Sequence, residues 1–323
     1  MAQKLIIHLG IDPKNYPDNA VDQVRSRAGD REVLVTTDRE EIAQRVDSIE
    51  ISLARFPHDL FAKAGNLQWY QQIGAGADWL EGHAEARELP FTLTSASGVH
   101  SIPISEHMFA FLLAIARGFP AAVRAQRDRS WAQSRERDVF ELAGKRVLVL
   151  GVGAIGERFA RLCEANDMEV VGLRRNPSKP ARGVSRMVGL DDLHAELPHA
   201  DVVANTLPLT AETRHFLARA EFAVIKHGSI VINIGRGATI DEVAMIEALR
   251  SGRLSAAGLD VFETEPLPEE SPLWEMDNVL ITAHYSGMTP RYNERVFEIF
   301  LDNLDRYLRG DPLRNVVDKS LGY

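Results

Sequence analysis

Three glycines have the spacing to hold a phosphate. Gly151, Gly153 and Gly156 stand in Lys145-Arg-Val-Leu-Val-Leu-Gly-Val-Gly-Ala-Ile-Gly156, directly after an apolar run, Val147 to Leu150, that reads as a buried strand. A helical pattern follows, with Phe159, Ala160, Leu162 and Cys163 among its apolar positions. Strand, glycine turn and helix is the context that a dinucleotide-binding fingerprint requires. Gly151 permits the tight turn, Gly153 lets the backbone approach a pyrophosphate, and Gly156 lets the helix pack close to the sheet. The helix start, with Ala154 and Ile155 in its first turn, offers unpaired N–H groups to the anion.

The next strand tells which dinucleotide. In such domains it normally ends in Asp or Glu, about 20 residues after the glycines, to bind a ribose 2′-hydroxyl. Here it reads Glu169-Val-Val-Gly-Leu-Arg-Arg-Asn-Pro177, and Arg174 and Arg175 stand where the acid would be. A carboxylate repels a 2′-phosphate, whereas a guanidinium binds it bidentately. The charge pattern predicts NADP(H) over NAD(H), with Asn176, Ser178 and Lys179 placed to assist.

Three later segments each follow a strand candidate: Ile232-Asn-Ile-Gly-Arg-Gly-Ala-Thr-Ile-Asp241, Gly258-Leu-Asp-Val-Phe-Glu-Thr-Glu-Pro-Leu-Pro268 and Leu280-Ile-Thr-Ala-His-Tyr-Ser-Gly287. They bring an arginine, carboxylates and a histidine to the same edge of one sheet. Spacing alone leaves both Glu263 and Glu265 open as a carboxylate partner for the histidine. Of the other histidines, His58, His83, His194, His199, His215 and His227 show no constellation around them, and His100 and His107 are unassigned. No HxxxH, CxxC or carboxylate cluster with ligand spacing appears, so no metal is expected.

The elements that position these residues alternate between strand and helix. Lys4–Leu9, Val33–Val35, Ile49–Ser52, Leu67–Ile73 and Phe91–Thr94 read as strands, and Asp38–Val46 reads as a helix starting at Thr37 or Asp38. Val147–Leu150, Glu169–Leu173, Val202–Asn205, Ile230–Ile234, Ala256–Asp260 and Val279–Thr282 read as six more strands. The alternation predicts two doubly wound parallel sheets in an α/β chain. Gly74-Ala-Gly-Ala-Asp78 follows a strand's carboxyl end, where it is either an anion-binding turn or a plain one. Ser105–Arg117 reads as a helix that is apolar nearly all round, which suggests burial against another domain or subunit, and Gly118-Phe-Pro120 stops it. Pro290–Leu308 is a final amphipathic helix, and Pro312-Leu-Arg-Asn-Val-Val-Asp318 reads as a strand or loop returning to the first domain.

Length and composition fit this picture. The chain has 323 residues, enough for a sizeable core and two domains. A formal net charge of -9 argues against nucleic-acid binding. The single cysteine, Cys163, permits no internal disulfide and suits a reducing cytoplasm. The N-terminal apolar run is too short for a signal peptide, and the longest run, Met108 to Ala116, is too short to span a bilayer.

Taken in order, these motifs resemble the D-isomer-specific 2-hydroxyacid dehydrogenase family over nearly the whole chain. The likeness is carried by Gly74-Ala-Gly-Ala-Asp78, Ser105-Glu-His107, Gly151-Val-Gly-Ala-Ile-Gly156, Asn205-Thr-Leu-Pro-Leu-Thr210, the three later segments, and Asn315-Val-Val-Asp318. The resemblance implies a Rossmann cofactor domain, residues 101–289, inserted in a flavodoxin-like substrate domain, residues 1–100 plus 290–323. It implies hydride transfer between a nicotinamide cofactor and a 2-ketoacid/D-2-hydroxyacid pair, in a cleft that closes on substrate. Arg236 would bind the substrate carboxylate and polarise the keto oxygen, since only arginine presents a matching fork. His284 would be the general acid/base, histidine ordinarily titrating near neutrality. Glu265 would pair with His284 and favour its imidazolium form. Asp260 would hold the nicotinamide carboxamide and Ile234 would offer a backbone contact. Thr206, Leu207 and Pro208 would line the cofactor groove, and Ala75 and Gly76 would present N–H groups to the substrate carboxylate. Family likeness and the apolar Ser105–Arg117 helix, with Trp131 beyond it, point to a homodimer.

Glu265 argues against formate dehydrogenase activity, because the formate dehydrogenases that resemble this family carry Gln there. The chain ends too soon for the extra regulatory domain of many phosphoglycerate dehydrogenases. Tyr285, after the histidine, is a bulky residue placed to line a pocket. Glyoxylate, hydroxypyruvate, pyruvate and larger 2-ketoacids all remain open. The alternative on the same scaffold is a dinucleotide-sensing corepressor that binds partner proteins.

Overall fold

The computed structural model describes residues 4–74, 76–132, 135 and 138–320. The chain divides into two compact units, Met1–Val99 with Thr289–Tyr323, and His100–Met288. The first unit opens with β1 (Ile6–Gly10), α1 (Ala20–Arg25), β2 (Glu32–Val35), α2 (Arg39–Arg45), β3 (Ile49–Ala54), β4 (Trp69–Gln71), α3 (Ala84–Glu88) and β5 (Thr92–Thr94). The second contains α4 (Ser101–Ala116), α5 (Phe119–Arg127), β6 (Arg146–Leu150), α6 (Ala154–Glu164), β7 (Glu169–Leu173), β8 (Arg186–Val188) and α7 (Leu193–Glu196). It continues through β9 (Val202–Asn205), α8 (Arg219–Val224), β10 (Ser229–Asn233), α9 (Glu242–Arg250), β11 (Leu254–Leu259) and β12 (Val279–Ile281), after which α10 (Tyr292–Arg309) belongs to the first unit.

In the first unit five parallel strands lie in the order β2-β1-β3-β4-β5, the flavodoxin-like winding. Every residue of β1 and β3 is buried, as expected for strands covered on both faces. The two faces of the sheet serve different cores, with a register shift between β1 and β3 at Ile6/Ile7. Ile6 and Ile49 join Ile42 of α2 on one side, while Ile7, Leu9, Ile51 and Leu53 meet Val24 of α1 on the other, with Phe297, Phe300 and Leu304 of α10. The tail is stitched to β5: Val316 bridges Thr94 in antiparallel sense and Val317 is buried. Asp38 caps α2 by accepting from the Glu40 and Glu41 N–H groups. The short helix α1 has no counterpart in the sequence pattern, because only Ala20 and Val24 of its six residues are buried.

The second sheet has seven parallel strands in the order β12-β11-β10-β9-β6-β7-β8, the Rossmann winding extended by one strand. The sequence pattern predicts six; the extra one is β8, three residues at the sheet edge with Arg186 exposed. Two further boundaries differ. The predicted helix from Ser105 begins at Ser101, and the polar stretch after Gly118 is not a plain stop but holds α5, with Gly118 in the left-handed conformation at φ 68° and Pro120 in the first turn. The apolar face of α4 is covered within its own unit: Met108, Phe111, Leu112 and Ala116 pack with Val147, Val149, Phe159, Ala160 and Cys163. Burial pushes the Cys163 thiol up to about 12. No single helix among the described residues is long and apolar enough to cross a membrane.

The buried face of β1 also carries a histidine. His8 has no exposed surface, and its Nε2 lies 3.0 Å from the Thr36 carbonyl while its Nδ1 lies 2.8 Å from Ser52 Oγ. A carbonyl only accepts, so Nε2 carries the proton and Nδ1 accepts from the serine. Burial holds the His8 pKa down to about 4 from an ordinary 6.5. Between those values the unfolded chain takes a proton that the native state refuses, so stability falls as pH falls from 6.5 to 4. The loss from this group saturates at about 3 kcal/mol. Urea midpoints measured across that window should drop steeply for the native chain and less steeply for His8→Gln, whatever the variant's stability at pH 7. Parallel profiles would remove His8 as a source of acid lability.

Candidate active site

The topological switch of the second sheet lies between β6 and β9, both paired in parallel. The glycine turn leaves β6 there. Gly151 has φ 88°, and a Cβ on it would stand 3.1 Å from Thr206 Oγ1 and 3.2 Å from the Leu207 side chain. Thr206 follows β9 and donates its hydroxyl to the Gly151 carbonyl at 2.5 Å, so the Thr206-Leu207-Pro208 turn is bound to the glycine turn. A Cβ on Gly156 would meet the Gly151 carbonyl at 2.4 Å, and only glycine permits that approach. Gly153 is the N-cap of α6 and supplies no capping side chain; a Cβ built there meets nothing within 4 Å. An uncapped eleven-residue helix with open space at its start, and Ala154 and Ile155 in its first turn, fits a pyrophosphate.

Arg174 leaves the end of β7 and folds back on this turn. Its Nη1 donates to the Val152 carbonyl at 3.1 Å and its Nε to the Asn176 carbonyl at 2.9 Å. Arg175 pairs with Glu212 at 2.7 Å, both side chains being more than half exposed. A surface pair of this kind is worth at most about 1 kcal/mol, so a phosphate would displace Glu212 at little cost.

On β9 and β10 the last residues are buried asparagines. Asn205 Nδ2 donates to Asn233 Oδ1 at 3.1 Å and to Thr239 Oγ1 at 2.6 Å. Asn205 Oδ1 accepts from the Leu207 N–H and Asn233 Oδ1 from the Gly235 N–H, both at 3.1 Å. These amides tie the Thr206–Pro208 turn to the turn that presents Arg236. Ile234 is buried and gives its N–H to the Asn205 carbonyl. Arg236 is exposed; its Nη1 donates to the neighbouring Gly235 carbonyl at 2.9 Å and its own carbonyl accepts from Thr239 Oγ1 at 2.5 Å.

The strand order β10-β11-β12 sets the arginine turn beside the other two segments. Asp260 comes directly after β11 and has no exposed surface. Its Oδ1 accepts from Thr282 Oγ1 at 2.5 Å and the Tyr285 N–H at 3.1 Å, and its Oδ2 from the Ser286 N–H at 3.1 Å. Its carboxylate is therefore engaged by the segment that carries His284. His284 has a left-handed backbone, φ 52°, unusual for a residue with a Cβ, and its N–H donates to the Asp260 carbonyl at 2.9 Å. His284 Nδ1 lies 2.7 Å from Glu265 Oε2, and Glu265 Oε1 accepts from the Phe262 N–H at 3.0 Å. An ionised carboxylate only accepts, so Nδ1 carries a proton and Nε2 is the nitrogen left for proton transfer.

Glu263, open beside Glu265 on spacing, pairs with a different histidine: His215 Nε2 lies 2.5 Å from its Oε1. Burial, with the Glu263 carboxylate adding to it, raises the pKa of Glu242. Four histidines that look isolated in the sequence thus have company. His215 has Glu263, His194 has Glu221 at 2.8 Å, and His58 stacks on Trp79 at 4.2 Å with His83 edge-on at 5.0 Å. Sequence reasoning gave no structural part to Asn233, Thr239 or Thr282. For Asn233 and Thr282 the signal available was positional, a polar residue ending or directly following a strand; Thr239, six residues beyond β10, carried none.

In the first unit the Gly74–Asp78 turn follows β4. Gln72 Nε2 donates to the Gly74 carbonyl at 3.1 Å and the Gly76 carbonyl at 2.7 Å, and Gln72 Oε1 accepts from the Trp79 indole at 2.8 Å. The Tyr292 hydroxyl donates to the Ile73 carbonyl at 2.5 Å. The turn's carbonyls at 73, 74 and 76 are therefore all committed within the unit. Ala75 lies outside the described residues. A cavity of about 380 Å³ adjoins Ile73 and is lined also by Thr37, Arg55, His58 and Tyr70.

Comparison with known proteins places this geometry. Residues 109–286 match the family model for the D-isomer specific 2-hydroxyacid dehydrogenase, NAD binding domain. A D-3-phosphoglycerate dehydrogenase of Methanocaldococcus jannaschii is 31% identical over 303 residues, 92% of this chain and 57% of that protein. The chain thus spans little more than half the length of that relative. A glyoxylate/hydroxypyruvate reductase B of Yersinia pseudotuberculosis is 32% identical over 86% of each chain. A D-isomer specific 2-hydroxyacid dehydrogenase from Xanthobacter autotrophicus Py2, solved in complex with NADPH and MES, superposes with a TM-score of 0.80 at 30% identity, covering 100% of both chains. With its glycine turn after β6, its arginine turn after β10 and its Glu265–His284 pair after β11 and β12, the chain belongs to the D-isomer specific 2-hydroxyacid dehydrogenase family.

Proposed function

We propose that this protein is an NADP(H)-dependent reductase of small 2-ketoacids, forming D-2-hydroxyacids, with glyoxylate and hydroxypyruvate the first candidates. The observation that carries the reading is the Glu265–His284 pair, which fixes the proton on Nδ1 and leaves Nε2 for the substrate. The reductase name of the Yersinia relative supports the substrate class, and the NADPH bound to the Xanthobacter protein supports the cofactor.

In this reading Arg236 binds the substrate carboxylate bidentately and draws charge from the keto oxygen. Imidazolium at His284 donates its Nε2 proton to that oxygen, and in the reverse direction neutral Nε2 accepts it. Glu265 keeps the imidazole oriented and balances the charge it carries as a donor. Two cationic groups then face the oxygen as negative charge develops on it. The nicotinamide cofactor, when bound, supplies the hydride. Gly151, Gly153, Gly156 and the first turn of α6 hold its pyrophosphate, Arg174 and Arg175 take the 2′-phosphate, and Thr206, Leu207, Pro208 and Ile234 line its groove. The second unit is accordingly the cofactor domain. The first is the substrate domain, with Gly76 in its anion turn. Asp260 would hold the nicotinamide carboxamide, and its carboxylate also holds the His284 segment. The exposed apolar side chains of Phe119 and Val123 on α5, and of Trp131, support a homodimer. One buried cysteine as the only thiol suits a reducing cytoplasm.

Oxidation of NADPH and NADH should be followed at 340 nm against a panel of 2-ketoacids. Turnover with glyoxylate, hydroxypyruvate or a larger ketoacid, faster in kcat/KM with NADPH, is the expected result. Dinucleotide binding without turnover of any ketoacid would point instead to a sensing corepressor. His284→Ala should lower kcat by ~10²–10⁴-fold with little change in KM, and Arg236→Ala should damage both constants. Near-normal turnover in both variants would sink the site assignment.

A separate test addresses the cofactor. Arg174→Ala and Arg175→Ala should each weaken NADPH by ~10–100-fold, the worth of a charge-assisted contact, and change NADH far less. Equal losses for the two cofactors would show that the arginines do not read the 2′-phosphate.

A further inference from the structure

We propose that His107, on α4, is a positioning residue for the His284 segment, acting through Thr282 and Tyr285. The inference rests on the reading of His284 as the acid/base.

The geometry is a short chain of hydrogen bonds with one allowed polarity. His107 Nε2 lies 3.0 Å from Thr282 Oγ1, and that oxygen lies 2.5 Å from Asp260 Oδ1. Asp260 accepts backbone N–H groups at both carboxylate oxygens and is therefore an acceptor toward threonine as well. The single hydroxyl proton of Thr282 goes to that carboxylate. The hydroxyl must then accept from His107, which puts a proton on Nε2 of that ring. Burial lowers the His107 pKa, against the opposing pull of the Asp260 carboxylate, which agrees with a neutral ring.

His107 also touches the other side of the segment. Its ring stands edge-on to Tyr285, with centres 5.6 Å apart and planes at 90°. One side chain thus holds the residues two before and one after His284. It is itself braced by Phe111, whose ring is 4.6 Å away and perpendicular. Phe111 in turn sits where Gly258 has no side chain: a Cβ there would stand 2.7 Å from its ring. Seven residues earlier, and so on nearly the same side of the helix, His100 Nδ1 donates to the Gly287 carbonyl at 3.0 Å. A Cβ on Gly287 would press on that imidazole at 3.0 Å. Helix α4 and the residue that caps its start therefore hold the His284 segment at two places, and His107 is the contact that reaches Asp260.

A displacement of about 1 Å at a catalytic group can cost ~10²-fold in rate. His107→Leu keeps the bulk and removes the donor, so kcat for the ketoacid should fall ~10–100-fold while KM for NADPH moves less than ~3-fold. His107→Gln carries an amide N–H at the reach of Nε2 and should recover kcat to within ~5-fold of the native enzyme. Thr282→Val, which also takes a donor from the buried Asp260 carboxylate, should lower kcat at least as far as His107→Leu, and the double variant should lose no more than Thr282→Val alone. On the unmodified enzyme, 15N NMR of labelled histidine, assigned by the His107→Gln spectrum, should show a neutral ring protonated at Nε2 at pH 7. Normal kcat in His107→Leu, a Gln variant as slow as the Leu variant, or a ring protonated at Nδ1 would each overturn the proposal. His284→Ala separates the two readings. If it is inactive while His107→Leu is normal, only the positioning role fails. If the native enzyme turns over no ketoacid, the functional reading fails and the NMR result still decides the hydrogen-bond chain.

Discussion

The carboxylate of Asp260 has no exposed surface, and a charge in that position must be met by donors on every side. The donors come from one place. The Thr282 hydroxyl and the N–H groups of Tyr285 and Ser286 all belong to the segment that turns at His284. That turn needs holding, because a left-handed backbone costs a residue with a Cβ on the order of 1 kcal/mol or more. The cost is offset by the donors that the turn delivers to Asp260. Burial of the carboxylate and strain at the histidine are two sides of one constraint, and the position of the imidazole follows from it.

The same device recurs along the sheet. Asn205 at the end of β9 and Asn233 at the end of β10 each accept an N–H from the turn two residues on, and they join each other through one amide hydrogen bond. In the first unit Gln72, just past β4, does the converse, donating to two carbonyls of the Gly74–Gly76 turn. Loops at the carboxyl ends of parallel strands carry backbone groups that the ladder no longer satisfies. A buried amide or carboxylate at the last rung satisfies them and fixes the loop in one conformation. Arg236 and His284 are then mounted on loops that behave like extensions of the sheet.

What was legible in the sequence follows from which constraints are local. The glycine turn was legible because its requirement is steric: at Gly156 a side chain would meet a carbonyl at 2.4 Å, so the residue type itself reports the approach. The buried strands were legible because a parallel sheet covered on both faces leaves apolar runs. The edge strand β8 and the helices α1 and α5 were not, since each buries too few side chains to impose a pattern. Polar networks were least legible. Glu263 and Glu265 are equivalent by spacing; the family resemblance gave Glu265 to His284, and only the fold gives Glu263 to His215. An asparagine at a strand end looks the same in the sequence whether it meets solvent or another asparagine 28 residues away.

Histidine makes the point most clearly, because its chemistry depends on which nitrogen holds the proton. That choice is made here by partners that can only accept. The Thr36 carbonyl fixes it at Nε2 of His8, the Gly287 carbonyl at Nδ1 of His100, and the Glu265 carboxylate at Nδ1 of His284. For His8 the remaining nitrogen is taken by Ser52 in the core, so the residue is structural and its neutrality is enforced by burial. For His284 no such partner closes the second nitrogen among the described residues, and its side chain is about half exposed. The two rings differ in which nitrogen holds the proton and in whether the fold leaves the other nitrogen open. A closed and an open histidine are therefore told apart by the acceptors around them, and those are set by strand order and by the buried polar groups at the strand ends.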